Sequence, residues 1–567
     1  MRKTKVVLAK VLTAAMVISS FAGVQGITSE AAAKPKLSKK SVSITVGKTK
    51  KITVKNAKKY KVSWKMKSKK IASFKKSGKY AVKVKAKKAG KTTLTATVKK
   101  GKKTKKLVCK ITVKKNSPKV TKTPVNTPTT SPSNVPKTTE VPIVKPTATA
   151  TAEPQDTTPA MKEIFKGVID NVGTCLTYNQ TWNNRKEMQD ASTMEFVDKH
   201  FNSFTLENEM KPDNMLNKKT TISVADAKAK GYVISDDYKE STVPELTLET
   251  IDGVLAIAKQ HNIRMRAHTL MWHQQTPTWF FKKNYDDNEA VVDEATINAR
   301  LEFFVRTIMR YTMQKEKELT GEVGSIVYAW DVLNEYIHRS NAAAATTWVS
   351  VYGDMGLKPT YVKAAFEYAY DELKKENVQD KVTLFYNDYD TYFSVDDELA
   401  LISYINEGEE AKICGGIGMQ SHVDIKRPTL EEYGNALKTF INAGLEVQIT
   451  ELDITINFDT DDTDGRTPSY GYKNEKETDA DQAAFTKDFI KQIVDIQKNR
   501  DKTISPKGIT GITVWGISDQ TSWRGSCKPL FFTRKSVRVK DETTGKYKTV
   551  YTYVPKKSYE AMIEALK

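Results

Sequence analysis

The larger part of the chain, residues 160–567, alternates short apolar runs with longer segments whose apolar residues recur every three or four positions. Such runs are typical of buried parallel strands, and such segments are typical of amphipathic helices. The candidate strands are Val172–Leu176, Phe201–Leu206, Ile263–Leu270, Ile326–Leu333, Val382–Tyr386, Gly416–Gln420, Val447–Leu452 and Ile512–Ile517. The helical segments between them include Thr247–His261, Tyr361–Lys375, Leu430–Ala443 and Asp479–Lys498. Eight strand–helix units predict an α/β fold, either a (β/α)₈ barrel or a doubly wound sheet.

Polar and aromatic side chains follow nearly every candidate strand, and their distribution separates the two folds. In a barrel the carboxyl ends of all strands meet at one rim, whereas a doubly wound sheet spreads them along an edge. The second to eighth strands are followed by Glu207, Asn208 and Lys211; His268, Trp272, His273 and Gln275; Asn334 and Glu335; Asn387, Asp388 and Tyr389; Gln420 and His422; Glu451 and Asp453; and Trp515, Asp519 and Trp523. Such a set converges on one cleft only in the barrel, which we therefore expect.

Residues 34–115, here called the lysine-rich module, alternate apolar and polar positions in short runs such as SVSITV and YAVKVKA. Glycines at intervals separate the runs, as turns would require. This pattern predicts a small all-β sandwich whose outer face is covered by lysine.

Two segments of the chain have no pattern of a folded core. Residues 116–159 hold nine of the 19 prolines, many beside threonine, and are expected to form an extended linker. Residues 1–33 combine early basic residues, an apolar stretch and a run of small residues ending at Ala33. This order is typical of a secretory signal peptide, so we expect a secreted, extracellular protein without a transmembrane segment after cleavage.

The formal charge of +24 is unevenly distributed along the chain. The lysine-rich module contains 32 lysines and no acidic residue. Removing these and the net +3 of residues 1–33 leaves −11 for residues 116–567. A basic module is therefore attached to an acidic body.

The four cysteines, Cys109, Cys175, Cys414 and Cys527, lack the paired spacing of a metal site. Buried free thiols are the expected state, and the sequence leaves a disulfide among the last three open. A glycine-rich phosphate loop after a strand is also missing. No metal and no cofactor is expected.

Carboxylates, amides, imidazoles and indoles make up the predicted cleft. Indoles stack on the apolar faces of sugar rings, while amides and carboxylates hydrogen-bond to sugar hydroxyls. Cleavage of a glycosidic bond needs two carboxyl groups. Glu335 and Glu451 end the fourth and seventh strands, which lie across a barrel mouth from each other, and they are the candidate catalytic pair.

Six motifs in this part of the chain resemble those of glycoside hydrolase family 10, in the order that the family has them. They are ENEMK at 207–211, HTLMWHQQ at 268–275, WDVLNE at 330–335, GIGMQSH at 416–422, GLEVQITELDI at 444–454 and WGISDQTSW at 515–523. The resemblance implies a retaining endo-β-1,4-xylanase that acts on xylan and xylo-oligosaccharides, and we expect a monomer.

The resemblance also implies a role for each site residue. Glu451 is the expected nucleophile and Glu335 the expected acid/base. Asn334 is expected to hydrogen-bond the sugar's 2-hydroxyl and the nucleophile, while Gln420 and His422 orient Glu451 and Asp453 is the partner of His422. The reacting sugar is expected to be held by His268, Lys211 and Trp523, with Trp515 limiting bulk near its C5. The non-reducing side is expected to be lined by Glu207, Asn208, Gln275 and Trp272, and Tyr389 is expected to stack on the leaving-group side.

Three features depart from the family pattern. Asp390 stands where the family often has Asn, the loop at 212–246 is long, and a charged, β-prone stretch at 534–554 predicts a hairpin insertion near the rim. Two other readings stay open: the same chemistry on a β-1,4-glucan or on both polymers, and a wall- or glycan-binding protein with an inactive barrel.

The lysine-rich module resembles bacterial immunoglobulin-like repeats from Trp64 through Ile71 to Leu94. Only four aromatic residues lie among its charges, which argues against nucleic-acid binding. An anionic cell-wall polymer or the acidic side groups of xylan are the expected partners, and a merely solvated face is the alternative.

Overall fold

A computed structural model describes residues 35–39, 41–57, 60–100, 103–114, 158–180, 185–339, 346–456, 477–540 and 545–567. The chain divides into two compact units, residues 1–148 and 149–567. The expected signal peptide and residues 116–157 of the expected linker lie outside the described residues. Among the described residues, no helix is both long and apolar enough to cross a bilayer.

The first unit is all β, as predicted. Its strands are β1 (Lys36–Leu37), β2 (Ser41–Thr45), β3 (Thr49–Lys55), β4 (Lys61–Met66), β5 (Ala72–Lys76), β6 (Ala81–Ala86), β7 (Gly90–Lys100) and β8 (Lys103–Lys114). They form two four-stranded sheets in the orders β1-β3-β6-β5 and β2-β8-β7-β4. One apolar cluster joins both sheets, with Ile52 and Val82 from the first and Leu94 and Ile111 from the second. Because side chains alternate across each strand, the lysines between these positions face outward.

The second unit is a closed (β/α)₈ barrel, so the predicted fold is confirmed. Its strands are β9 (Asn171–Leu176), β10 (Ser203–Leu206), β13 (Arg264–Trp272), β14 (Val327–Asn334), β15 (Thr383–Asp388), β16 (Gly416–Met419), β18 (Glu446–Thr455) and β19 (Ile509–Val514). All neighbouring pairs are parallel, and β19 pairs with β9 to close the sheet. This closing pair excludes the doubly wound alternative.

The helices of the second unit lie between these strands. They are α1 (Met161–Ile164), α2 (Ala191–His200), α3 (Pro212–Met215), α4 (Val224–Ala229), α5 (Glu249–Gln260), α6 (Glu294–Thr320), α7 (Trp348–Tyr352), α8 (Thr360–Glu376), α9 (Val395–Ile405), α10 (Leu430–Asn442), α11 (Asp479–Asn499) and α12 (Lys557–Ala565). Their ends follow ordinary capping chemistry. Thr429 and Glu432 form a capping box at the start of α10, and the long α6 ends at Gly321 with φ of 90°.

Short strands outside the barrel lie in the long loop, beside β18 and in the predicted hairpin insertion. The long loop at 212–246 carries β11 (Thr221–Ser223) paired with β12 (Thr242–Pro244), and β17 (His422–Asp424) pairs with the end of β18. The stretch at 534–554 is the predicted hairpin, with β20 (Phe532–Lys540) antiparallel to β21 (Tyr547–Pro555).

All four cysteines are buried free thiols.

Candidate active site

Glu335 directly follows the last residue of β14, and Glu451 lies in the second half of β18; both are buried, at 8% and 5% exposure. Glu451 continues its strand. Glu335 follows its strand in the left-handed backbone region, with φ of 56°. Its N–H donates to the carbonyl of Asn387 at 2.9 Å, which ties the turn to the neighbouring strand. A left-handed non-glycine residue costs about 1–3 kcal/mol and persists only where its surroundings hold it.

The carboxylate of Glu451 accepts hydrogen bonds on both oxygens. Asn387 Nδ2 donates to Oε1 at 3.0 Å, and His422 Nε2 lies 3.2 Å from Oε2. Burial alone would raise the pKa of Glu451, but the His422 hydrogen bond and the charges of His268, His422 and Lys211 outweigh it and lower the pKa to about 2. Glu451 is therefore ionised at every ordinary pH.

The imidazole of His422 is held by a carboxylate on its other side. Its Nδ1 lies 2.8 Å from Asp453 Oδ2, and Trp523 Nε1 donates to the same oxygen at 3.0 Å. Burial would lower the pKa of His422, but Asp453 and Glu451 raise it to about 9. His422 thus faces the Glu451 carboxylate as a cation.

Glu335 accepts hydrogen bonds from uncharged side chains. Trp272 Nε1 donates to its Oε2 at 2.8 Å, Gln274 Nε2 to the same oxygen at 3.2 Å, and Gln420 Nε2 to Oε1 at 3.0 Å. Burial raises the pKa of Glu335 to about 7, helped by the charges of Asp388 and Glu451 and opposed by the hydrogen bonds from Gln420 and Trp272. The two glutamates therefore hold opposite protonation states near pH 6, as one acid and one nucleophile require.

His268 is fixed at the base of the site by buried charges. Its Nδ1 lies 2.9 Å from Asp331 Oδ2, and Arg266 donates to the other oxygen of Asp331. Arg266 also donates to Gln448 at 2.9 Å. His268 Nε2 is buried and has no hydrogen-bond partner among the described residues. It is therefore available to form a hydrogen bond with a hydroxyl group of a bound ligand.

Lys211 lies between two indoles. Its Nζ is 4.7 Å from the ring centre of Trp272 and 5.9 Å from that of Trp515, and it donates to Asn208 at 3.5 Å. Glu207, one residue before Asn208, accepts from Arg185 at 2.6 Å. The second, third and eighth strands therefore meet at this side of the cleft, as the sequence predicts.

Other residues singled out by sequence take up different positions. Trp523 is half exposed, at 50%, and its ring lies 5.0 Å from His422. The ring of Tyr389 lies 4.5 Å from His338 and its hydroxyl donates to the His338 carbonyl at 3.1 Å. Gln275 is partly buried in the loop after β13, where its neighbour Gln274 is the residue that contacts Glu335.

Two of the expected contacts differ in the structure. The side chain of Gln420 donates to Glu335, whereas its backbone carbonyl accepts a hydrogen bond from the N–H of Glu451. Asn334 Oδ1 accepts hydrogen bonds from Asn387 and Gln420, so Asn387 lies between Asn334 and Glu451.

The site also contains residues to which the sequence assigned no role: Asn387, Gln274, Asp331, Arg266 and Arg185. Asn387 and Asp331 stand inside strand-end motifs already singled out, so their position was a usable signal. Arg185 and Arg266 carry no such signal, since one lies in a loop and the other in the middle of a strand.

A cluster beside Glu335 holds more carboxylates. His338 Nδ1, Asp388 and Glu398 offer ligand atoms within 4.8 Å of one another. Hydrogen bonds already occupy Asp388: His338 and the Tyr389 N–H bond one oxygen, and Tyr386 and the Ile337 N–H bond the other. These hydrogen bonds anchor the chain just after Glu335.

Known proteins resemble the second unit. The family model described as Glycosyl hydrolase family 10 matches residues 160–552. Endo-1,4-beta-xylanase A of Butyrivibrio fibrisolvens is 40% identical over 352 residues, covering 62% of this chain and 76% of that protein. Endo-1,4-beta-xylanase B of the same organism is 32% identical over 344 residues, covering 59% of this chain and 46% of that protein. A solved structure described as a novel GH10 endoxylanase from a sugarcane soil metagenome shares the fold, with a TM-score of 0.50 and 19% identity over 72% of this chain and 100% of its own.

Proposed function

The chain belongs to glycosyl hydrolase family 10, and on that premise we propose that it is a retaining endo-1,4-β-xylanase. One observation carries the proposal. An ionised carboxylate, Glu451, and a carboxylic acid with a pKa of about 7, Glu335, stand at the seventh and fourth strands of one barrel. Hydrogen bonds through Asn387, Asn334 and Gln420 join them.

In the first step Glu451 attacks the anomeric carbon while Glu335 protonates the departing glycosidic oxygen. A covalent glycosyl-enzyme forms and the leaving sugar departs. Glu335, now ionised, then removes a proton from water, which attacks the same carbon and releases Glu451. The high pKa of Glu335 suits it to both directions of proton transfer, because it lies near the working pH.

The surrounding residues hold the sugar during these steps. His268 Nε2 and Lys211 are placed to bond hydroxyls of the reacting sugar, with Trp515 and Trp523 against its ring. Glu207, Asn208, Trp272 and Gln275 line the non-reducing side, and Tyr389 lies on the leaving-group side. His422 and Asp453 keep Glu451 ionised. Asn334 binds the 2-hydroxyl in this scheme, and Asn387 supplies the donor to Glu451.

Xylan is the preferred substrate over a β-1,4-glucan. Glucose carries a hydroxymethyl group at C5 that xylose lacks. The buried ring of Trp515 packs T-shaped against that of His268, with the ring centres 5.9 Å apart, and leaves less room for such a group. A filled site rejects the larger sugar by steric exclusion. The names of the two relatives point to the same substrate.

Product analysis on a linear xylan tests the activity. We expect short xylo-oligosaccharides from internal cleavage, with the β configuration retained in the first product. Turnover of an aryl xylobioside should exceed that of the matched aryl cellobioside. Equal turnover of the two would mean that the enzyme acts on both polymers. If no sugar were released from xylan, the proposed xylanase activity would be wrong.

The remaining parts of the chain suit an exported enzyme. The signal-like residues 1–33 support secretion, and the two-sheet first unit supports an immunoglobulin-like sandwich.

The 32 lysines of the lysine-rich module, without an acidic residue, support binding to an anionic wall polymer. Such binding should weaken steeply with salt, since the Debye length is about 10 Å at 0.1 M. Retention of residues 34–115 on neutral xylan that ignores salt would contradict this idea.

A further inference from the structure

The hairpin formed by β20 and β21 is here called the basic hairpin, and contacts near its base, in the part of the chain that the structure describes, hold it to the barrel. The ring of Tyr553 lies 4.2 Å from Phe196 of α2, and its hydroxyl bonds Thr193 at 3.0 Å. The N–H of Tyr551 donates to Ser192 at 3.0 Å. The outer half is exposed, with Tyr547 at 61% exposure. An exposed two-stranded hairpin is only marginally stable in water, so its length and its apolar surface call for an explanation.

The pairing register puts tyrosines and arginines on one face of the basic hairpin. Residues directly opposite in an antiparallel pair project from the same side of the sheet. The pairs on this side are Arg534 with Tyr553, Ser536 with Tyr551, Arg538 with Thr549 and Lys540 with Tyr547. Tyr553 is buried against α2, so we give the name tyrosine–arginine face to the remaining residues of this side, from Arg534 and Tyr551 outward. The opposite side carries Val537 and Val539.

Diagonal contacts on the tyrosine–arginine face organise its charges. The guanidinium of Arg534 lies 4.4 Å from the ring centre of Tyr551, and that of Arg538 lies 5.1 Å from that of Tyr547. Each guanidinium is thus held beside an aromatic ring. Tyr547 and Tyr551 are four residues apart, about 13 Å along a strand, which spans more than one sugar ring.

The charge of the basic hairpin is opposite to that of the body that carries it. Residues 532–555 contain six basic and two acidic residues, whereas residues 116–567 together have a net charge of −11. Cations on an exposed strand edge also discourage pairing with other chains. That role alone does not require aromatic rings beside the guanidinium groups, so the face has the composition of a binding site.

We propose that the tyrosine–arginine face binds a β-1,4-linked xylan chain through its glucuronate side groups, outside the catalytic cleft. This proposal rests on the proposed xylanase function. Tyrosine rings stack on the apolar faces of pyranose rings. Guanidinium groups bind carboxylates with two parallel hydrogen bonds and remain charged at all relevant pH values. The base of the hairpin contacts the loop after β19, since the Arg534 N–H donates to Gln520 at 2.6 Å, so a chain bound on this face stays near the cleft that cuts it.

The test measures binding of the full-length protein by affinity electrophoresis in gels that contain glucuronoxylan or a neutral xylan. Arg538→Ala should weaken retention by glucuronoxylan about fivefold or more and leave retention by neutral xylan nearly unchanged. Tyr547→Ala should weaken both, and Tyr547→Phe should weaken neither, because the ring is kept. The lysine-rich module is present in every variant, so differences between variants belong to the hairpin.

Lys228→Ala removes one charge from an exposed residue of α4 and serves as the control, with retention expected to stay at the parent level. Turnover of xylotriose should be the same in all variants, since none touches the cleft. Equal weakening by Lys228→Ala and Arg538→Ala, or no weakening by either, would overturn the proposal and leave the charges as protection of the strand edges. Loss of retention in Arg538→Ala alone would support it even if the chain proved unable to cut xylan, so the two proposals fail separately.

Discussion

Asn387 donates its side-chain amide to Oε1 of Glu451 at 3.0 Å. The same nitrogen donates to Oδ1 of Asn334 at 2.9 Å, and Thr450 Oγ1 donates to Asn387 Oδ1 at 2.6 Å. The hydroxyl of Thr450 fixes the amide so that its NH₂ group faces the nucleophile. Asn387 therefore links the nucleophile to the strand that precedes the acid/base.

Replacing Asn387 with alanine should lower kcat about 10- to 150-fold, because a hydrogen bond to a charged group contributes roughly 1.5–3 kcal/mol. The fall in kcat should be larger than any change in KM. Asn435→Ala, on the exposed side of α10, is the matched control and should keep full activity. A parent-like kcat in Asn387→Ala, with unchanged thermal stability, would show that this hydrogen bond does not assist catalysis.

The pH dependence of kcat/KM should be bell-shaped. Activity needs Glu451 ionised and Glu335 protonated. The acidic limb should therefore lie near the Glu451 pKa of about 2, and the basic limb near the Glu335 pKa of about 7, where the acid loses its proton as pH rises. Trp272→Phe removes a hydrogen bond that favours ionised Glu335, so its basic limb should move to higher pH. A limb that stays in place, or moves down, would contradict the assignment of Glu335.

Substitution of the two glutamates should separate their roles. Glu451→Gln should abolish turnover of every substrate. Glu335→Ala should spare the first step for aryl glycosides with good phenolate leaving groups, because these need no proton, and azide should then restore part of the turnover. Equal loss on poor and good leaving groups without azide rescue would argue against Glu335 as the acid.

Asp453→Asn should raise the pH of the acidic limb. Burial lowers the pKa of His422, and the charge of Asp453 makes the largest contribution that raises it. The hydrogen bond from His422 makes the largest contribution that lowers the pKa of Glu451. Without the Asp453 charge, His422 loses its proton at lower pH and Glu451 becomes a weaker acid. The measurement is the pH profile of kcat/KM on xylotriose. An acidic limb identical to that of the parent would mean that Asp453 acts only by holding the imidazole in place.

The barrel should fold and act without the residues that precede it. A chain beginning at Thr158 should match the full-length protein in kcat on xylotriose, because the expected linker offers no apolar surface to pack on the barrel. Retention on anionic wall material should fall in the same shortened chain. A large loss of kcat on soluble oligosaccharides would show that the first unit supports the barrel.

The sequence by itself determined the alternation of strands and helices and the set of strand-end residues. Parallel strands buried on both faces must be almost continuously apolar, so their positions are legible, and barrel closure brings their carboxyl ends to one rim. Glu335, Glu451, His422 and Asp453 were predicted on that basis. Even so, the last strand proved to be Ile509–Val514 and not Ile512–Ile517, since the buried residues Trp515 and Ile517 continue the same apolar pattern beyond its end.

Only the tertiary structure decided which donor serves which carboxylate. Gln420 bonds Glu335, Asn387 bonds Glu451, and Arg185 bonds Glu207. The first two of these pairs are 85 and 64 positions apart in the chain. Apolar periodicity sets which face of a strand is buried, but hydrogen bonds depend on positions within a few tenths of an ångström and on rotamers chosen by packing around each side chain. The opposite protonation states of Glu335 and Glu451 follow from those contacts, and so they belong to the fold and not to the local sequence.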